Sequence, residues 1–352
     1  MKGKKNLGLW LSLLVTVVII VLKIPPLYKV ALLALFIAGL LFIRRGIFPY
    51  MKANKKVTST NSDDWPAAFP LYRKAIKAGI QKPYVITAAS MFLQRGDREE
   101  GKQILLDYLA SSKGKDPALD GIAKTMLSMA YWMEGDLSHA LSVVDEVHQS
   151  GQRDKNLYIN YSTYLIEDGQ RERAQSLIDE ARDNNLESPG ILDNQGWLYI
   201  LSGRWEEAEE LFGNLVSRGP RFAEPFVHYA QVLIHFGEVQ AAIEQLESAT
   251  GCTFSNTSAM KEGTVQALLD GLKDPKTRIN CAKAIDRDPA AVASGRLPAP
   301  IKGEAEPSEE AFLPGFAVRS RKKIERIKPQ EREPNLELTE EDLALIEELE
   351  RS

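Results

Sequence analysis

The sequence predicts an all-α chain in three parts: an N-terminal transmembrane helical hairpin, an α-solenoid of about five helical hairpins, and a disordered C-terminal tail. Three observations predict it. Two uncharged apolar runs open the chain. Glycines recur at a constant spacing through its middle. From Asp288 onward, prolines and charges displace apolar residues.

The apolar runs come first. Leu7 to Leu22 carries no charge, and neither does Val30 to Ile43. A span needs about 20 apolar residues, with about 17 as the lower limit. Both runs meet that limit only with interfacial help, such as Lys29 reaching back to the headgroups. Between them Pro25 and Pro26 break the helix, with Lys23 and Lys29 on either side. Residues 1–50 therefore read as a membrane hairpin, with spans near 7–22 and 27–43. A cleaved signal peptide is the competing reading. It would need a small-residue cleavage site after the first run and would leave the second run unexplained. One span plus a helix lying in the interface is a third reading. Lysine and arginine set the orientation. Eight flank the outer ends (Lys2, Lys4, Lys5, Arg44, Arg45, Lys52, Lys55 and Lys56) against two in the connection, Lys23 and Lys29. That bias puts both ends in the cytoplasm. Residues 51–64 read as a polar tether, and 65–81 as a lone helix capping the repeats.

The repeat lies in residues 82–256. Gly96, Gly135, Gly169, Gly203 and Gly237 are separated by 39, 34, 34 and 34 residues. Three more columns keep the same phase. Five positions after each glycine stand Gly101, Ala140, Ala174, Ala208 and Ala242. Four before it stand Phe92, Tyr131, Leu165, Tyr199 and Leu233. Seven before it stand Ala89, Ser128, Ser162, Gly196 and Ala230. A unit of this length accommodates two helices and two turns. The glycine allows the turn, the small residues let the helices approach, and the large one fills the gap. One such hairpin cannot bury its apolar face alone, so hairpins stack. Gly101 weakens its helix by roughly 1 kcal/mol relative to alanine. The longer first interval implies an extra turn near Ser111 to Asp116. Residues 257–287 read as a degenerate helical cap, since terminal repeats are atypical.

These columns resemble the tetratricopeptide repeat family. The clearest copy is Gly196-Trp197-Leu198-Tyr199, Gly203-Arg204-Trp205, Ala208, Leu211-Phe212 and Pro220. The resemblance implies a superhelix whose concave face is lined by the first helix of each hairpin and binds a protein or peptide. Carried over in phase, partner-binding candidates are Met129, Trp132 and Met133, then Asn160 and Thr163, then Asp193, Asn194 and Trp197, then Val227, His228 and Gln231. Asn160, Asn194 and His228 form one column, placed to hydrogen-bond an extended peptide. Some members grip an acidic carboxyl terminus with a cationic cluster. The corresponding positions here are Ile86, Thr125, Ile159, Asp193 and Val227, so no such clamp is expected.

Composition narrows the function. At 44% hydrophobic, 26% charged and a net charge of -4, the chain has no basic field, which disfavours nucleic acid. Its two cysteines, Cys252 and Cys281, match no metal-ligand spacing and read as reduced thiols. His228 and His235 are two helical turns apart, too far for one metal without further ligands. No phosphate loop, catalytic triad or zinc-protease motif occurs, so no cofactor, metal or enzymatic activity is expected.

The tail, residues 288–352, is rich in proline and charge and reads as disordered. It contains the basic cluster Arg319-Ser320-Arg321-Lys322-Lys323. It ends in a short amphipathic helix over 339–351, capped by Thr339, with a stripe of Leu343, Ile346 and Leu349. That stripe is expected to dock on a partner or on the protein's own concave face. The two-span layout resembles a bacterial inner-membrane family associated with haem biosynthesis. The functional expectation is a non-catalytic scaffold in the inner membrane with its repeats in the cytoplasm. The alternative is an envelope assembly factor with the repeats outside.

Overall fold

A computed structural model describes residues 7–59, 61–112, 114 and 116–301. Among these residues the chain is all-α. It divides into two compact units, the first ending at Ile80 and the second starting at Gln81.

In the first unit, α1 (Leu7–Val21) and α2 (Pro26–Ile43) are the two apolar runs. Pro26 opens α2, where its missing N–H leaves no bond unmade. Lys29 Nζ donates to the Ile20 carbonyl, so this lysine caps the end of α1 instead of reaching outward. The 15 residues of α1 extend about 22 Å, against a hydrocarbon core of about 30 Å. No single helix among the described residues is long and apolar enough to cross a membrane. Pro26–Phe42 and Ile47–Val57 pass such a test together, bent by 44° at the break.

The segment expected to be a polar tether is helical in its first half. α3 (Ile47–Val57) runs through residues 51–57, with Tyr50, Ala53 and Val57 buried at helical spacing. The Thr and Ser residues that suggested a tether begin only at Thr58, its C-terminal cap. A 3-10 turn (Ser62–Ala67) leads into α4 (Phe69–Lys77). α4 lies against α3: Tyr72 Oη donates to Asn54 Oδ1 at 2.6 Å, and the Tyr50 and Tyr72 rings are 5.8 Å apart. The helix expected to cap the repeats thus packs within the N-terminal unit.

The second unit starts with five hairpins. They are α5 (Lys82–Arg95) with α6 (Arg98–Ser112), and α7 (Pro117–Met133) with α8 (Leu137–Gln149). Next come α9 (Lys155–Glu167) with α10 (Arg171–Asp183), and α11 (Pro189–Leu201) with α12 (Trp205–Ser217). The fifth is α13 (Glu224–His235) with α14 (Val239–Thr250). Proline opens the first helix of four of these hairpins, and Asp116, Asp136 and Asp154 cap helices through side-chain bonds to backbone N–H groups.

The four sequence columns find their physical roles here. Gly135, Gly169, Gly203 and Gly237 adopt positive φ between the paired helices, whereas Gly96 does not. A Cβ on Gly196 would stand 2.3 Å from the Phe212 ring. A Cβ on Gly101 would meet the Ala89 carbonyl at 3.0 Å, so this glycine is set by close helix approach. Ala140, Ala174, Ala208 and Ala242 are fully buried. The longer first interval is not an extra turn. α6 and α7 have 15 and 17 residues against 13 each in α8 and α9, so the added residues lengthen helices.

After the repeats, α15 (Glu262–Lys273) packs on α14, and α16 (Arg278–Arg287) folds back on α15. The tail expected from Asp288 does not begin as free chain. α17 (Pro289–Ala293) is capped by Asp288 and packs against α11 and α13. Val292 is buried in the core of the fifth hairpin, and Ala293 in the cluster that joins the third hairpin to α11. Small apolar side chains on a short proline-opened helix suffice to fill that space.

Candidate functional site

The first helices of successive hairpins, α7, α9, α11 and α13, bring the expected inner-face residues together. Their polar column does something specific. Asn160 Nδ2 donates to the Thr125 carbonyl at 3.4 Å. Asn194 Nδ2 donates to the Ile159 carbonyl at 3.0 Å. His228 Nδ1 lies 2.9 Å from Asp193 Oδ1. Each bond joins a residue to the one 35 positions earlier, one repeat back and one residue over. The column expected to hydrogen-bond an extended peptide therefore ties neighbouring repeats together. Asn194 also donates to Ser162 Oγ at 2.7 Å, and Thr163 Oγ1 donates to Asn194 Oδ1 at 3.3 Å.

The end of this column is covered by the protein's own chain. His228 Nε2 is 3.2 Å from the Ala293 carbonyl, and Gln231 Nε2 donates to the Pro289 carbonyl at 2.9 Å. Both side chains are buried by α17 and are not exposed to a separate partner. The segment before α15 adds a second cover. Asn256 N donates to the Gln94 carbonyl at 2.8 Å, and its side chain donates to the Gly96 carbonyl, tying the loop after the fifth hairpin to the end of α5.

Beside these helices lies a half-enclosed cavity of about 140 Å³. Met129, Trp132, Asn160, Thr163, Asn194 and Trp197 line it, as the sequence placed them. Met133, His228 and Gln231 do not. Sequence reasoning missed Tyr164, Glu224, Phe222, Thr257 and Ala293, which also line it. Glu224 reads in sequence as an ordinary acid opening a helix. It becomes part of the wall because the loop through Ser258 folds over it, Ser258 Oγ donating to Glu224 Oε1. The stripe of Leu343, Ile346 and Leu349, with its helix over 339–351, lies outside the described residues.

No protein-family model matches the chain, and no curated protein does. Solved structures do resemble it. One is described as a functional characterization of Pseudomonas aeruginosa pilF, with 23% identity and a TM-score of 0.42 over 60% of this chain and 88% of that one. A tetratricopeptide repeat protein from Parabacteroides merdae has 14% identity and a TM-score of 0.43 over 70% and 91%. YrrB, described as a TPR protein with an unusual peptide-binding site, has 17% identity and a TM-score of 0.35 over 50% and 89%.

The cavity's electrostatics follow from burial. Burial pushes the Glu224 carboxyl above the usual range, and nearby Asp193 adds to this, against the bond from Ser258 and the charge of His228. Burial likewise raises Glu167, although Trp132 Nε1 donates to it at 2.6 Å. Burial opposes a charge on His228, but Asp193, the Ala293 carbonyl and Glu224 together hold its pKa above the ordinary value. Both ring nitrogens of His228 face acceptors, an arrangement that only the imidazolium satisfies by donating twice. Asp193 is thereby matched by His228. Glu224 Oε2 and Trp197 Nε1 are buried with no hydrogen-bond partner. Among the described residues no group of three His, Cys, Asp or Glu side chains is arranged to hold a metal ion.

Proposed function

We propose that the protein is a non-catalytic, membrane-anchored scaffold of tetratricopeptide type that binds a protein partner through the cavity on its concave face. The ladder of bonds at 35-residue offset carries this reading. It holds successive hairpins as one preorganised surface, and rigid surfaces lose less entropy on binding. The cavity's unpartnered polar atoms give that surface something to recognise.

Membrane anchoring is supported by α1 and α2, whose outward residues are large and apolar. Val21, Leu27 and Leu35 are 71%, 77% and 69% exposed. Contiguous apolar surface of this kind marks a membrane or protein contact. The excess of Lys and Arg outside the hairpin supports cytoplasmic repeats.

A photo-crosslinking amino acid at Thr163, introduced in intact cells, tests the scaffold. A discrete protein adduct in the membrane fraction is expected, resistant to alkaline carbonate extraction. No adduct at Thr163, with protein recovered in the soluble fraction, overturns both halves of the reading.

A further inference from the structure

The cavity contains an imbalance that its own residues do not resolve. Two of its lining residues are acids, Asp193 and Glu224, and none is Lys, Arg or His. Asp193 has His228. Glu224 Oε1 has Ser258, while Oε2 is buried and unpartnered. Lys261, whose charge is influenced by Glu224, donates instead to the Asn256 and Ser258 carbonyls. Trp197 is 4% exposed, and its indole N–H is also without an acceptor. Glu224 and Trp197 both line the cavity, and a buried acceptor and a buried donor left open each carry a desolvation penalty that a matching ligand removes.

We propose that this cavity binds an alkylammonium group, presented as a lysine side chain by the partner polypeptide, with the ammonium at Glu224 Oε2 and an adjacent peptide carbonyl at Trp197 Nε1. This rests on the scaffold reading and names what the scaffold recognises. Size fits: a cavity of about 150 Å³ holds a ring the size of benzene, and a lysine side chain is comparable. The walls fit as well. Trp132, Trp197 and Tyr164 offer ring surfaces, and ammonium groups are attracted to aromatic faces. Met129 and Ile159 suit the aliphatic stem. A cation arriving at Glu224 replaces the proton that burial favours there, forming a charge-assisted bond in its place. A partner's terminal carboxylate is disfavoured, because the lining sets two acids against it and no Lys, Arg or His.

Calorimetry on the full chain in detergent tests this with three probes: a blocked tripeptide with central lysine, its norleucine analogue, and n-butylamine. A bond to a charged group contributes about 1.5–3 kcal/mol, so the lysine peptide should bind at least about tenfold more tightly than the norleucine peptide. Glu224→Gln should remove that preference, and Trp197→Phe should weaken the peptide but not the amine. Saturable, Glu224-dependent binding of n-butylamine without peptide binding would assign the same chemistry to a free amine, against a partner polypeptide. Equal affinity for lysine and norleucine, or no saturable binding of any probe at millimolar concentration, overturns the proposal. The lysine-to-norleucine comparison uses the unaltered protein, so it does not depend on a variant folding. A Thr163 crosslink to a partner with no lysine preference would leave the scaffold standing and this assignment refuted.

Discussion

His228 Nε2 sits 3.2 Å from the carbonyl oxygen of Ala293, a residue 65 positions further along the chain. With Asp193 on the other ring nitrogen, this makes His228 the junction of the fourth hairpin, the fifth hairpin and α17. The groove expected to await a partner is, at this end, already closed from within.

That junction should be energetically coupled. His228→Ala strands the Asp193 carboxylate in the interior, and breaking a buried pair typically destabilises by about 3–5 kcal/mol. Asp193→Asn should also destabilise. In a double-mutant cycle by urea unfolding, the pair should show an interaction of more than about 1 kcal/mol. Additive effects would mean that the contact contributes nothing of its own.

The same pair gives stability a pH slope. The folded pKa of His228 is raised above its unfolded value of about 6.5. The folded state thus binds more protons between those two values, so stability falls as pH rises through that window. The contribution is complete below the unfolded pKa and is lost above the folded one. The urea midpoint should drop on going upward from about pH 6, and His228→Gln should flatten that drop. Asp193 and Glu224 both face the ring, so Asp193→Asn should lower the pH at which the drop occurs.

Removing α17 should open the groove. A chain ending at Ile301 should melt like the full protein. One ending at Arg287 loses the Pro289 and Ala293 carbonyls that Gln231 and His228 hold. It should melt several degrees lower, with Trp197 emission shifted to the red. Unchanged melting and emission would show that α17 adds nothing to the packing.

Two glycines, Gly196 and Gly101, are held by close approach between helices. Gly196→Ala places a methyl group against the Phe212 ring and should destabilise by about 1–3 kcal/mol, as overpacking does. Gly101→Ala should destabilise too, although alanine is the better helix former by roughly 1 kcal/mol, because the Ala89 carbonyl cannot easily retreat. A more stable Gly101→Ala protein in thermal denaturation would show that the helices can separate.

The hairpin repeat was legible because its causes are local and periodic. A turn glycine, two small contact residues and one filler must recur wherever the same two helices meet, so Gly203, Gly196, Ala208 and Tyr199 announce the fourth hairpin without any knowledge of its neighbours. The lining positions Met129, Trp132, Asn160, Thr163, Asn194 and Trp197 were singled out by the phase that the resemblance to tetratricopeptide repeats implies. The helical state of 51–57 was obscured by Asn and Lys, whose polarity concealed the buried stripe of Tyr50, Ala53 and Val57.

What the sequence determined by itself is the repeat and its register, because helical periodicity converts spacing directly into direction, while the residues expected to face inward followed from the resemblance to tetratricopeptide repeats. What only the tertiary structure decided is which of those residues remain available. Asn160, Asn194 and His228 look alike as polar residues on an inner face, yet each is drawn into a bond with the previous repeat. Glu224 looks like a solvated helix-opening acid, yet Ser258 and the loop around it bury its carboxyl. Such outcomes depend on contacts between segments far apart in sequence, such as Asn256 with Gln94 and Ala293 with His228, and no local pattern encodes where a returning chain comes to rest.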